Sequence, residues 1–262
     1  MDSLIRQILL WLFVFSIGIG STASASQVWY VTESGSGTMS GVSWANAAPG
    51  GMLDTIIKSA QAYDQIWVAK GTYYPATDAT GAVPADPREK AFSLRPAVQV
   101  YGGFAGTEVT LADRNPGNPA NATMLSGDIG VIGNVEDNCY HVIFHDRTGL
   151  RPTAFFNGVT ISGANANHAT VATHQWGGGV LNVGVSPAFY NCTLSGNSAV
   201  SGAGAANNNA NPYFVNCTFS GNSSLYEGGA MLNVGSKPKI VSCTISRNTA
   251  KWALGDGLYN HM

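Results

Sequence analysis

The sequence has few charged residues, and neither sign is in excess. Of its 262 residues, 13 are Lys or Arg and 15 are Asp or Glu, so the charged fraction is 11% and the formal net charge is −2. Without a basic excess the chain lacks the electrostatic attraction that nucleic-acid binding requires, and we expect no nucleic-acid partner. Glycine is abundant, with 32 residues. Together with many Asn and Ser, it indicates short strands joined by tight turns.

Long apolar runs are also scarce. One run extends from Ile8 to Ile19, between Arg6 and the small residues at 23–25. It is shorter than the ~20 residues that a membrane-spanning helix needs, and its order of basic, apolar and small residues is typical of a secretory signal peptide. We predict a signal peptide at residues 1–25, cleaved after Ala25, with a membrane anchor as the alternative. We expect an exported mature chain without a membrane-spanning segment.

A repeat occupies the C-terminal half. Its glycine-rich starts, Gly177, Gly202, Gly228 and Gly255, are 25, 26 and 27 residues apart. Each unit contains Gly and Asn residues that are unfavourable inside helices, and its apolar residues alternate with a period of two. These features exclude a helical solenoid and predict an all-β fold, a parallel β-helix in which one unit forms one coil.

Stacked coils place equivalent residues about 4.8 Å apart, so the repeat predicts ladders. The expected inward ladders are Tyr190/Val215/Val241, Cys192/Cys217/Cys243 and Leu194/Phe219/Ile245, and the expected outward ladder is Thr193/Thr218/Thr244. Two further ladders are expected at turns, where stacked amides hydrogen-bond along the stack: Asn182/Asn207/Asn233/Asn260 and Asn197/Asn222/Asn248.

Cysteine is limited to Cys139 and the three members of the cysteine ladder. An exported chain can form disulfides, and a Cα spacing of about 4.8 Å permits one. Parallel stacking also holds the Cβ atoms about that far apart, beyond the ~3.5–4.5 Å that a disulfide prefers. We therefore favour free, buried thiols over disulfides. The Asn-Cys-Thr triplets at 191–193 and 216–218 also match glycosylation acceptors, although ladder geometry explains them without sugar.

The repeat fades towards the N-terminus. We divide the mature chain into an N-terminal cap with irregular first coils at 26–150 and regular repeats at 151–262. The repeats stop inside a coil, and we expect the last coil to continue into a longer chain or to pair with the edge of a partner. Strands are predicted at 28–32, 65–69, 97–101 and 140–144. A helix is predicted at 54–63, with Asp54 as its N-cap, and it could cover the open first coil. Residues 75–89 are predicted to form an excursion loop.

Catalytic groups are scarce. A β-helix that cleaves polysaccharides needs paired carboxylates or acids that hold Ca²⁺, but the only acids between residues 177 and 262 are Glu227 and Asp256. We therefore predict no catalytic, cofactor-binding or metal-binding residue, and no cofactor. The better candidates lie upstream: Asp128, Asp137 and Asp146, with Arg147 and Arg151 nearby. They could form a catalytic or calcium-binding cluster, and the alternative is that they are turn and cap residues.

Four histidines and two tryptophans are also candidates for metal ligands and for sugar-binding residues. His141 and His145 lie in a predicted strand, which separates them by roughly 13 Å, so they cannot share one metal ion. His168 and His174 are expected to be solvated loop residues. Trp176 and Trp252 could stack on sugar rings, but we favour aromatic caps on coil edges.

Two sets of motifs resemble known families. Residues 228–233 and 219–222 resemble the Gly-Gly-Ala and Phe-x-x-Asn repeats of polymorphic outer membrane proteins. The segments 29–31, 43–47, 66–73, 100–108 and 125–130 are similar to the start of secreted bacterial right-handed parallel β-helix repeat proteins. The resemblance covers nearly all of the mature chain. It implies a right-handed helix and a secreted location, at the cell outer membrane or outside the cell, but no catalytic residue.

We therefore expect a non-enzymatic surface protein that acts in adhesion or as a scaffold, whose partner is an unidentified surface protein or polysaccharide. Two alternatives remain. A carbohydrate-active enzyme, either a polysaccharide lyase or a glycoside hydrolase, predicts that Asp128, Asp137 and Asp146 converge in one groove. A sugar-binding module predicts an exposed aromatic row on one face of the helix.

Overall fold

The chain forms a parallel β-helix, as the repeat predicts. The computed structural model describes residues 26–146, 149–252 and 255–261; the predicted signal peptide and Arg147 lie outside them. All pairings between the described strands are parallel, and the strands stack into four sheets. This confirms the all-β solenoid.

Each sheet collects one strand from each successive coil. Sheet A contains, in spatial order, β2 (Ala48–Pro49), β1 (Val28–Thr32), β3 (Gln65–Ala69), β5 (Gln99–Phe104), β8 (Phe155–Asn157), β12 (Ala188–Tyr190), β16 (Tyr213–Val215) and β20 (Lys239–Val241). Sheet B contains β4 (Gly71–Tyr73), β6 (Thr123–Ser126), β9 (Thr160–Ser162), β13 (Thr193–Ser195), β17 (Thr218–Ser220) and β21 (Thr244–Ser246).

The other two sheets complete the coil. Sheet C contains β7 (Ile143–Asp146), β11 (Val180–Val183), β15 (Ala205–Asn208), β19 (Met231–Val234) and β23 (Leu258–His261). Sheet D contains β10 (Asn165–Ala166), β14 (Ser198–Ala199), β18 (Ser223–Ser224) and β22 (Thr249–Ala250). A regular coil therefore runs from sheet C through sheets A and B to sheet D.

The corner between sheets A and B corrects one predicted ladder. Two residues, an Asn and a Cys, join the two strands there. The Asn is left-handed: φ is 52° at Asn191 and 54° at Asn216. Asn tolerates this conformation better than most residues. Because the turn breaks the alternation, Phe189 faces the core and Tyr190 faces out. The predicted inward ladder Tyr190/Val215/Val241 is therefore wrong.

Phenylalanines fill the place of that ladder inside the helix. The rings of Phe156, Phe189 and Phe214 stack in successive coils, with centroids 6.0 and 5.0 Å apart. The inward cysteine and leucine ladders are confirmed, because Cys192 and Leu194 are buried in the core. The threonine ladder lies outward, as predicted. All four cysteines are free, with Cys139, Cys192 and Cys217 buried and Cys243 half-buried.

Between residues 26 and 261, as far as the structure describes them, there is one α-helix, α1 (Leu53–Ser59), and it packs against the core. Ile56 and Ile57 join the main core, so the helix buries its apolar face against the inside of the β-helix. It ends earlier than predicted because Ala60 is extended, with ψ 146°. Asp54 is not the N-cap, which is Met52. Instead, the buried Asp54 carboxylate pairs with Lys58, with an N–O distance of 2.6 Å.

Asp54 also fixes the excursion loop. One of its carboxylate oxygens accepts hydrogen bonds from the Thr77 backbone N–H at 2.9 Å and the Thr77 hydroxyl at 2.7 Å. Two predicted strands also shift along the chain. The strand predicted at 97–101 begins at Gln99 because Ala97 has φ 60°, and the one predicted at 140–144 begins at Ile143.

Candidate functional site

An amide ladder runs inside the helix along sheet C. Asn182 donates through Nδ2 to Oδ1 of Asn207 at 3.0 Å, Asn207 donates to Asn233 at 2.8 Å, and Asn233 donates to Asn260 at 2.9 Å. These residues lie within strands and not at turns, which corrects the predicted position. His145 occupies the same position in β7 and bonds Asn182 Oδ1 at 2.9 Å. Because that oxygen is an acceptor, Nδ1 of His145 carries the proton.

A second amide ladder lies at the corner between sheets B and D, where it was predicted. Oδ1 of Asn222 accepts from the backbone N–H and the side-chain amide of Asn197, both at 3.1 Å. Nδ2 of Asn222 donates to Asn248 Oδ1 and to the Leu194 carbonyl, both at 2.9 Å. These hydrogen bonds join each coil to the next one inside the helix.

A third ladder, on the outer surface, was not predicted. Asn216 donates to Asn191 at 2.6 Å, and Asn191 donates to Asn157 at 2.9 Å. Arg114 donates to the same Asn157 oxygen at 2.7 Å. The sequence signal was the recurrence of Asn at this position, in triplets that match glycosylation acceptors but that ladder geometry explains without sugar. The Asn191 amide is already engaged in this ladder, although the residue is exposed.

Two acidic residues of the enzyme alternative, Asp128 and Asp137, lie in one loop, and the third, Asp146, lies in sheet C. Asp128 accepts from the Gly133 N–H, and Asp137 accepts from the Val131 N–H. Both therefore act as turn residues in the loop after β6. Asp146 ends β7 in sheet C, and Arg151 is exposed. Within the described ranges, no group of three or more His, Cys, Asp or Glu side chains is arranged to hold a metal ion.

The two buried histidines are structural. His141 bonds the Gly177 carbonyl through Nδ1 at 2.9 Å. Burial in the protein interior lowers the pKa of both His141 and His145 to about 4, so both are neutral near pH 7. His174 is half-buried, and its ring stacks on Tyr140 with centroids 4.4 Å apart. His168 makes an edge contact with the same tyrosine. His168 and His174 were predicted to be solvated loop residues, but both pack against the Tyr140 ring.

Aromatic side chains cover the outer face of the first half of sheet A. We call this set the aromatic strip: Tyr30, Trp44, Trp67, Tyr101, Phe104, Phe155 and Tyr190. Tyr30 meets Trp67 with centroids 5.4 Å apart. Tyr101 meets Phe155, and Phe155 meets Tyr190, each edge-to-face at 5.3 Å. The strip crosses the five strands β1, β3, β5, β8 and β12 of sheet A.

The strip is held in place by hydrogen bonds along its edge. The Trp67 indole donates to Gln65 Oε1 at 2.9 Å, and the Tyr101 hydroxyl donates to Gln99 Oε1 at 3.1 Å. Trp67, Tyr101 and Phe104 are buried beneath their neighbours, whereas Tyr30, Trp44, Phe155 and Tyr190 stay half-exposed. Sequence reasoning missed the strip because its members come from coils of unequal length.

The two tryptophans considered for sugar stacking differ in their surroundings. Trp176 is half-buried against an apolar cluster on the outer face of sheet C. Trp252 is 68% exposed and lies beside the Lys251 ammonium. Of the two, only Trp176 lines a groove.

No family model, no curated protein and no solved structure matches the sequence. Among the described residues, no helix combines the length and the apolar character needed to cross a membrane.

Proposed function

We propose that the protein is an exported, non-enzymatic β-helix that acts in adhesion or as a surface scaffold, secreted and held at the outer membrane or outside the cell. The aromatic strip carries this proposal. It presents rings from several successive coils of sheet A on one face of the molecule.

The physical case rests on contact area and rigidity. Aromatic side chains offer large contact areas at a low cost in conformational entropy and are enriched in binding interfaces. The rings of the strip pack on one another, and hydrogen bonds to Gln65 and Gln99 hold Trp67 and Tyr101 in place, so little order has to be created on binding. A cation borders the strip: the Arg114 guanidinium lies over the Tyr101 ring, 5.1 Å from its centroid.

The test is binding of the purified mature chain to immobilised extracellular-matrix proteins and polysaccharides. A Phe155→Ser/Tyr190→Ser double variant should weaken binding because it removes two half-exposed rings of the strip. The matched control is Tyr226→Ser, since Tyr226 is 49% exposed and lies outside the strip. Failure to bind any ligand in the panel, or equal binding by the double variant and wild type, would contradict the proposal.

A sugar-binding module is the second candidate, because the strip forms an aromatic row on one face of the helix. The same panel separates the two: loss of polysaccharide binding alone in the double variant favours the sugar-binding module, and loss of protein binding favours adhesion to a protein partner. The enzyme alternative has no comparable support from the positions of Asp128, Asp137 and Asp146.

A further inference from the structure

The outer face of sheet C carries an apolar column where a solvated face is expected. Leu181, Ala206 and Leu232 hold equivalent positions in three successive coils and form a cluster separate from the main core. All three are buried, and Leu232 is only 4% exposed. Trp176, just before β11, packs against this column. An apolar column outside the helix needs a cover, and Trp176 supplies part of it.

An open groove of about 370 Å³ continues the column beyond the indole of Trp176. It is lined by Trp176, Glu227, Leu232, Val234, Tyr259 and His261. Tyr259 follows Leu232 in the stacking register, three coils beyond Leu181. At ~4.8 Å per coil the groove region extends roughly 14 Å along the axis. Its volume falls within the range of small-ligand pockets.

The groove is also lined by unused hydrogen-bonding groups. Oε2 of Glu227 accepts from the Ser201 hydroxyl at 2.7 Å, which holds the carboxylate in place. Within the described part of the chain, Oε1 of Glu227, the Trp176 indole N–H and the Tyr259 hydroxyl make no hydrogen bond. The groove lining thus offers two aromatic rings, Trp176 and Tyr259, each with a free donor, and a fixed carboxylate acceptor on Glu227.

We propose that this groove binds a short uncharged oligosaccharide. The C–H faces of pyranose rings pack on indole and phenol rings, and their hydroxyls bond groups such as Glu227 Oε1. Neither Lys nor Arg lines the groove, and the Glu227 carboxylate repels a uronate. The site lies on sheet C and goes beyond the adhesive function proposed for the strip on sheet A, so failure of either test leaves the other proposal standing.

Isothermal titration calorimetry of the mature chain tests the groove with cellohexaose, N-acetylchitohexaose, mannohexaose and hexagalacturonate. We expect saturable binding of at least one of the three uncharged hexaoses, with hexagalacturonate at least about tenfold weaker. Trp176→Ala and Tyr259→Ala should each weaken binding about tenfold or more. The matched control is Trp252→Ala, which removes an exposed tryptophan outside the groove and should leave affinity unchanged.

Glu227→Gln gives a second test that does not depend on aromatic truncation. Gln keeps an acceptor for the Ser201 hydroxyl but removes the charge, so the preference for uncharged sugars over hexagalacturonate should narrow. Thermal melting confirms that each variant is folded. Absence of binding by all three uncharged hexaoses, wild-type affinity in folded Trp176→Ala, or loss of affinity in Trp252→Ala overturns the proposal. A dimer in sedimentation that Trp176→Ala dissociates also overturns it, because a second copy would then occupy the groove.

Discussion

Replacing Asn222 by Leu tests whether the amide ladders hold the coils together. Asn222 lies mid-stack, fully buried, between Asn197 and Asn248. The substitution leaves the buried Asn197 backbone N–H without its acceptor, which costs about 1–3 kcal/mol. It also removes the hydrogen bonds that Asn222 Nδ2 makes to Leu194 and Asn248, each worth about 0.5–1.5 kcal/mol. We expect the free energy of unfolding to fall by about 2–6 kcal/mol.

The assay is urea unfolding followed by circular dichroism, with the midpoint and slope compared between variants. The control is Asn208→Leu: Asn208 lies in β15, half-buried and outside the inward ladders, so we expect a change of about 0.5 kcal/mol or less. Equal losses in the two variants would refute the reasoning, because they would show that position in the ladder adds nothing to the cost of removing an amide.

Three further predictions concern buried polar groups. The pKa of His145 is about 4 in the folded chain and ~6.5 in the unfolded chain, so the unfolded chain binds the proton more tightly. The stability that neutral His145 contributes is therefore complete above pH 6.5 and falls by about 3 kcal/mol as the pH drops through 4. Urea unfolding across this range should show that loss together with a similar one from His141, whose pKa is also about 4. His145→Asn, which continues the amide ladder, should remove only the His145 share, and an equally steep variant would contradict the assignment. Asp54→Asn should lower stability by about 3 kcal/mol or more in the same assay, because it leaves the Lys58 ammonium partly buried without its counter-charge, whereas a neutral result would show that the pair is dispensable. Burial raises the pKa of the Cys139 thiol to about 12, so iodoacetamide should label Cys139 only after unfolding, and native-state labelling detected by mass spectrometry would contradict its burial.

Features that repeat in every coil could be predicted from the sequence. Parallel stacking places the same side-chain type in the same environment, so Cys217, Phe219 and Asn222 resemble their counterparts one coil away. Orientation is harder to predict where one residue changes the backbone. The left-handed Asn191 reverses the alternation after Tyr190, and simple period-two counting therefore assigned Tyr190 to the core.

Surface sites were less predictable than the core because they depend on coils of unequal length. Trp67, Tyr101 and Phe155 lie on neighbouring strands, but the loops between them differ in length, so no fixed period links them. The groove on sheet C combines Trp176 with Tyr259 across three coils. Asp54 was predicted as a helix cap because of its position before an apolar face, whereas its carboxylate serves Lys58 and the excursion loop.

The most direct test of the non-enzymatic account compares the melting temperature of the purified mature chain with and without calcium, while acidic polysaccharides are assayed for unsaturated products. The account predicts no calcium shift and no product, since Asp128 and Asp137 accept hydrogen bonds from backbone N–H groups of one loop and Asp146 lies in sheet C. A calcium-dependent rise in melting temperature together with unsaturated product would contradict it and would show that the β-helix is a polysaccharide lyase.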